Sequence, residues 1–241
     1  MPTKKKAVKA AKPKTAKVAR PKAKRAVKAG SSKAAKPKAA KDLKPKAKKL
    51  PQPEATGTAQ VLSSDVVFEG PLFRVTRDRL IEPGGHESVR DVVRHHGRVV
   101  ILATDKSKDK RDPWIVMERQ YRHAASRYLW ELPAGKLNPG EDALAGAQRE
   151  LQEETGYRAK KWKPLVEYYP SPGFLGESMK VFLAEGLVAG DAHPEEDEHI
   201  ELRLVKLSEV MKLIEKADIL DGKTLSCALL FARKLAAKKG K

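Results

Sequence analysis

Aromatic residues make up only 5 % of this 241-residue chain, and none occurs before Phe68. Acids are scarce at the start of the chain: residues 1–50 hold 20 lysines and arginines against the single acid Asp42. The rest of the chain is balanced at 30 bases and 30 acids, so the formal net charge of +19 belongs to the N-terminal segment alone. The apolar residues there are mostly Ala and Val, which bury too little surface to offset the entropy of ordering a chain. Residues 1–58 are therefore expected to be a disordered Lys/Ala/Pro-rich tail, closed by the Pro- and Gly-bearing linker LPQPEATGT (50–58). Cysteine is nearly absent as well. One residue, Cys227, excludes a disulfide framework and any multi-cysteine zinc site, and its apolar neighbours Leu225, Leu229 and Leu230 predict core packing. No apolar run approaches the ~18 residues that span a bilayer, and the start lacks the apolar segment of a secretory signal. The expectation is an intracellular, cytoplasmic protein without a membrane partner.

The tail repeats a theme without a strict period, as in AKPKTAK (11–17), KPKAAK (36–41) and KPKAKK (44–49). Its composition resembles the C-terminal tails of linker histones. Such a polycation neutralises phosphates and releases counterions, giving sequence-independent, salt-dependent binding to nucleic acid and association with the nucleoid. Without aromatics it cannot stack on bases. The plainer alternative is a solvated polycation that adheres weakly to anything anionic.

Residues 59–241 are long enough for a single domain with its own core. Residues 59–97 predict antiparallel strands, at Ser64–Phe68, Leu72–Ile81 and Ser88–His95, with Pro83-Gly84-Gly85 turning between the last two. In 98–241 the pattern predicts a buried strand at Val99–Ala103 with Trp114–Tyr121 as its hairpin partner. A helix follows at Glu141–Thr155, then strands at Leu165–Tyr169, Met179–Glu185 and Ile200–Val205, and closing helices at Ser208–Lys216 and Thr224–Ala237. A strand-built centre flanked by few helices is an α+β arrangement in α/β/α layers.

The chemistry concentrates in GKLNPGEDALAGAQRELQEETGY (135–157). Glu150, Glu153 and Glu154 stand at i, i+3 and i+4, which puts three carboxylates on one helix face. Like charges so placed repel, and a bound cation is their natural compensation. Leu144, Ala147 and Leu151 form the adjoining apolar stripe that docks the helix and aims the acids. Oxygen ligands favour hard ions, Mg2+ or Mn2+, over zinc. For the three glutamates alone, an ordinary acidic face paired with Arg149 is the simpler reading.

The spacing of the whole segment changes that balance. It resembles the Nudix box, G-x5-E-x7-R-E-U-x-E-E-x-G-U, with U a bulky aliphatic residue. Gly135, Glu141, Arg149, Glu150, Leu151, Glu153, Glu154 and Gly156 fall on the pattern, and Tyr157 replaces the last aliphatic position. The resemblance implies a Nudix-type α/β/α sandwich with a mixed central sheet. It also implies metal-dependent hydrolysis of a nucleoside diphosphate linked to another moiety. By it, Glu150 and Glu154 are principal metal ligands, with Glu153 and the Ala134 carbonyl as further ones. Arg149 orients the glutamates, and Glu141 supports the loop and helix.

WELPAGK (130–136), MERQYR (117–122) and SPGFLGE (171–177) are similar to motifs of the ADP-ribose pyrophosphatase branch. The implied reaction is ADP-ribose to AMP and ribose 5-phosphate. Arg122 and Glu131 match substrate-facing positions, as do Pro172 and Phe174 in the SPGF segment. Arg74 and Arg90 lie in the meander that in this family reaches across a homodimer partner, and an arginine suits bidentate contact with phosphate. A second acidic cluster, Glu195-Glu196-Asp197-Glu198, sits where the family places a loop glutamate that acts as general base or completes the metal site, a role the resemblance assigns to Glu196 or Glu198. His95 and His96 predict packing or surface positions. Two alternatives stand: another sugar-nucleotide or dinucleotide diphosphatase, and a nucleic-acid-associated regulator that only senses a ligand.

Overall fold

The computed structural model describes residues 57–106, 109–193 and 199–237. The predicted tail, apart from residues 57–58, and the acidic cluster at 195–198 lie outside the described residues. In chain order the elements are β1 (Gln60–Glu69), β2 (Arg74–Ile81), β3 (Glu87–Arg94), β4 (Arg98–Asp105), β5 (Trp114–Arg122), β6 (Arg127–Glu131) and β7 (Ala134–Lys136). After these come α1 (Ala143–Thr155), β8 (Arg158–Tyr168), β9 (Met179–Val188), β10 (Glu201–Lys206), α2 (Leu207–Glu215) and α3 (Gly222–Ala237).

The layering follows from β4. Its six residues Val99–Thr104 are all buried, a run without alternation that requires cover on both faces of the strand. Successive side chains point to opposite faces. Val100 and Leu102 enter a core with Ile115, Met117, Val210, Cys227 and Phe231, under α2 and α3. Val99, Ile101 and Ala103 enter a second core with Ala147 and Leu151, under α1. Burying a side chain such as Leu151 or Ile101 stabilises by about 1.5–3 kcal/mol, so β4 and its two covers anchor the domain. Burial also pushes the Cys227 thiol up to about 12, in keeping with packing rather than reactivity.

The main sheet runs β10-β5-β4-β9-β8, with β6 on β5 and β7 on β4. The β4–β9 pair is parallel and its other pairs antiparallel, so the sheet is mixed. The architecture is α+β with α/β/α layering. The first three strands form a separate antiparallel sheet in the order β1-β2-β3. Its link to the core is short: the Val93 N–H donates to the Phe174 carbonyl at 2.8 Å, and the Gly176 N–H to the Val93 carbonyl at 2.9 Å. β1 leaves Val61, Val66, Val67 and Phe68 half or more exposed.

Three features differ from the sequence reading. β4 and β5 pair only at Thr104↔Ile115 and Asp105↔Trp114, because the start of β4 is taken by β7 and the end of β5 by β6. β6 and β7, of five and three residues, are too short to carry a period and exist through that pairing. β8 begins at Arg158, well before Leu165, although its lysines and Pro164 break any alternation. Pairing with β9 from Arg158↔Val188 to Tyr168↔Met179 holds it, with an irregularity between Pro164 and Val166.

Candidate active site

Helix α1 begins one turn into the glycine-bearing loop, where the Asp142 side chain caps it by accepting the Leu144 and Ala145 N–H groups, each at 3.0 Å. It ends at Gly156, whose φ of 71° is left-handed and whose missing Cβ leaves room for the Gly190 carbonyl; a Cβ would lie 2.6 Å from that oxygen. The neighbouring chain is held there too, since the His193 N–H donates to the Glu153 carbonyl at 2.9 Å. Between these ends, Ala147 and Leu151 fix the rotation of the helix, and Glu150 and Glu154 turn towards β7.

Both carboxylates are buried, Glu150 at 8 % exposure and Glu154 at 5 %. Glu150 lies against the backbone of Gly135, where a Cβ would come within 1.8 Å of its carboxyl carbon. Glu154 accepts the Ala134 N–H at 3.0 Å. Arg149 gathers the remaining acids: Nε and Nη2 bond Glu141 at 2.9 and 3.0 Å, and Nη1 bonds Glu150 at 2.9 Å and Glu153 at 2.8 Å. Nη2 also reaches the Lys136 carbonyl at 3.2 Å. Hydrogen bonds to Glu141, then to Glu153 and Glu150, raise the guanidinium above its ordinary value despite burial. Arg149 and the Asn138 N–H hold the Glu141 carboxyl below the usual range. Arg149 and Glu141 together thus tie the 136–141 loop to the helix.

The donor set fits a hard divalent cation, being oxygen throughout. Among the described residues no three His, Cys, Asp or Glu side chains converge on one point where an ion could sit. Arg149 already bridges Glu150 and Glu153, and Glu154 is turned to the Ala134 N–H. The Glu153 arm is 43 % exposed, where such an ion pair contributes only about 0.5 kcal/mol. It can swing to a cation at little cost. Glu150 and Glu154 are the buried pair whose charge a cation would offset, with Glu153 and the backbone of Ala134 beside them.

A cavity of about 580 Å³ is lined in part by Arg98, Arg122, Glu131, Tyr168, Glu177 and Lys223, and Arg98 on its wall pairs in register with Lys136 of β7, the strand on which the α1 acids rest. Arg122, at the end of β5, grips Glu131 of β6 with Nε and Nη2, both at 2.9 Å. That hydrogen bonding raises the Arg122 guanidinium against the opposing effect of burial, and the charges of Glu131, Glu118 and Glu154 add to it. Glu131 is 1 % exposed and also accepts from Lys223. Arg74 lines a smaller cleft of about 280 Å³ with Arg94, His95 and His96. Arg90 sits on the exposed face of β3, bonded to Glu82 at 2.6 Å, and the structure does not bring it to the α1 acids. Pro172 and Phe174 are exposed on a turn clipped to β3, and from that segment it is Glu177 that reaches the larger cavity. Glu196 and Glu198 lie outside the described residues.

Sequence reasoning missed Lys223, the fully buried Glu118, and the group in which Glu177 meets Arg98 and His95, each at 3.3 Å. Glu118 had a signal, a charge closing the apolar run Ile115–Met117. Lys223 had none, because only the packing of α3 buries it. Of the two histidines expected at packing or surface positions, the His95 side chain is 7 % exposed, its Nδ1 accepting the Gly97 N–H at 3.1 Å, and His96 is exposed.

A family model described as the NUDIX domain matches residues 94–226. An ADP-ribose pyrophosphatase of Bacillus subtilis (strain 168) is 39 % identical over 168 residues, covering 68 % of this chain and 88 % of that protein. An ADP-ribose pyrophosphatase of Mycobacterium tuberculosis is 43 % identical over 129 residues, covering 53 % of this chain and 60 % of that protein. Among solved structures, an ADP compounds hydrolase superposes with a TM-score of 0.64 at 22 % identity, covering 76 % of this chain and 96 % of the other. That last likeness is one of fold.

The closest packing in the site generates a direct test. In Gly135→Ala the new methyl meets the Glu150 carboxylate, so either the carboxylate or the β7 backbone must move. A stability loss of about 1–3 kcal/mol is expected in urea titration, together with a fall in turnover of more than about 10-fold per folded molecule. Parent-like turnover would show that the seating of Glu150 on Gly135 is incidental.

Proposed function

We propose, from the premise that this chain belongs to the Nudix domain family, that it hydrolyses ADP-ribose to AMP and ribose 5-phosphate. The observation that carries the reading is the buried pair Glu150 and Glu154, seated on the Gly135–Ala134 backbone, in a domain whose cavity is edged by Arg122. The B. subtilis relative, similar over most of both chains, supports the choice of ADP-ribose. Glu150 and Glu154, with Glu153 and the Ala134 carbonyl, would hold Mg2+ or Mn2+, which when bound neutralises the diphosphate and lowers the pKa of water. Arg122 meets the phosphoryl oxygens and stabilises the charge that develops on them. Water oxygen bonds to phosphorus while the bridging P–O bond breaks, and Glu196 or Glu198 takes the proton. Arg149 and Glu141 keep the α1 acids aligned throughout.

The test is hydrolysis by the full chain with Mg2+ across ADP-ribose, GDP-mannose, NADH and diadenosine polyphosphates, with Glu154→Gln alongside. ADP-ribose is expected to turn over fastest, and Glu154→Gln to lose on the order of 100-fold or more, beyond the loss of an outer-shell partner. ADP-ribose among the poor substrates removes the substrate assignment, and an active Glu154→Gln removes the role of α1.

Two partner readings accompany this one. The exposed apolar residues of β1, Val61, Val66, Val67 and Phe68, suit cover by a second copy of the chain. The polycationic segment 1–50 suits nucleic-acid phosphates and nucleoid attachment. Deleting residues 1–50 separates the readings. The truncated chain should sediment as a dimer, hydrolyse ADP-ribose as the parent does, and lose retention on DNA at low salt. A monomer, or unchanged retention, contradicts the corresponding assignment.

A further inference from the structure

We infer that Lys223, at the start of α3, is a positioning residue that holds Glu131 from behind, so that the charge of Arg122 stays available to the substrate diphosphate. The inference rests on the hydrolase reading above and adds a residue to it.

Four charges alternate through the wall of the larger cavity. Arg122 of β5 forks onto both oxygens of Glu131, and Lys223 bonds Glu131 Oε2 from the other side. Lys223 also lies 3.2 Å from Asp221. Asp221 in turn accepts the Thr224 N–H at 2.9 Å and its hydroxyl at 2.6 Å, which fixes the first turn of α3. The Thr224 hydroxyl meanwhile accepts the Leu132 N–H at 2.9 Å, so the residue after Glu131 is bound to the same turn.

Glu131 and Lys223 are 1 % and 8 % exposed, whereas the Arg122 side chain is one-third exposed, on the cavity side. A lysine so deeply buried is rare without a partner, and here the partner is the carboxylate that also orients Arg122. Glu131 carries one negative charge between two cations. Without Lys223 that charge falls on Arg122 alone, whose guanidinium is then drawn towards the wall and neutralised there. With Lys223 present, the four charges of Arg122, Glu131, Lys223 and Asp221 balance, whereas without it they sum to one negative charge; Arg122 retains three N–H donors beyond the two used on Glu131.

Titration supports the geometry. Burial pushes the Glu131 carboxyl up, but hydrogen bonds and charge from Arg122 and Lys223 outweigh it and hold the group below the usual range. The other charges facing it are Glu118, its register partner on β5, and Asp221 just before α3, with Arg98 and Glu177 on the same cavity wall. Removing Lys223 takes away one of the two cations, so Glu131 then takes up its proton at a higher pH. The acid limb of substrate affinity moves up with it.

The experiment uses the full chain with Mg2+. It reads kcat and KM for ADP-ribose, binding of α,β-methylene ADP-ribose by calorimetry, and the pH dependence of KM. Lys223→Met is expected to raise KM and Kd about 10-fold, the scale of one charge-assisted hydrogen bond, with kcat within about 3-fold. Its acid limb should lie at higher pH than the parent's, and Lys223→Arg should restore all three quantities. In a Glu131→Gln background, Lys223→Met should add nothing further to Kd, because the carboxylate it serves is gone. Should Lys223→Met fail to fold, Lys223→Gln keeps a donor, on a side chain one atom shorter, while removing the charge, and reads the same quantities. An unchanged Kd and pH profile in a Lys223→Met enzyme whose Tm has fallen makes Lys223 a packing residue and overturns the inference alone. A parent that neither turns over ADP-ribose nor binds the analogue overturns the hydrolase reading and this inference with it.

Discussion

Glu150 and Glu154 are carboxylates one helical turn apart, both buried, and their mutual repulsion is the constraint around which the domain is arranged. A like-charged pair at this spacing costs a few tenths of a kcal/mol in water and much more where solvent is excluded. Three devices offset that cost. The Ala134 N–H meets Glu154, Arg149 meets Glu150, and the absence of a side chain at Gly135 lets a carboxylate rest on backbone. A divalent cation bound there would add a further favourable charge and, through it, an attraction for a diphosphate.

The scaffold serves that arrangement by fixing one helix against one short strand. β7 is three residues long and exists because the start of β4 is open to it, and β4 is held by cores on both faces. Leu151 and Ala147 lock α1 over β4, so the orientation of the acids follows from apolar packing rather than from the acids themselves. On the far side of the sheet, the first turn of α3 bonds Leu132 through Thr224 and Glu131 through Lys223. The loop between β6 and β7 is therefore gripped from α1 at one end and from α3 at the other.

Much of this was legible in the amino-acid sequence, for reasons that differ by element. The 23-residue segment 135–157 is local: glycine, arginine and glutamates meet within one loop and one helix, so spacing alone predicts their neighbourhood. The buried strand at Val99–Ala103 and the closing helices showed through hydrophobic pattern. β6, β7 and the first half of β8 did not, because their stability comes from partners distant in the chain. The same holds for Lys223, which is 92 residues from the carboxylate it bonds. The role expected of Arg90 comes from its place in the meander, and in the structure its guanidinium bonds Glu82, the residue after β2. Long-range pairing, then, is what pattern and spacing leave out.

The central claim is that the α1 carboxylates create a divalent-cation site, and it is tested most directly by electron paramagnetic resonance titration of the full chain with Mn2+. The parent should deplete the free-ion signal saturably, and Glu150→Gln with Glu154→Gln together should leave that signal nearly intact while the fold, followed by circular dichroism, persists. A parent that leaves Mn2+ free, or a double variant that binds it as the parent does, would contradict the account.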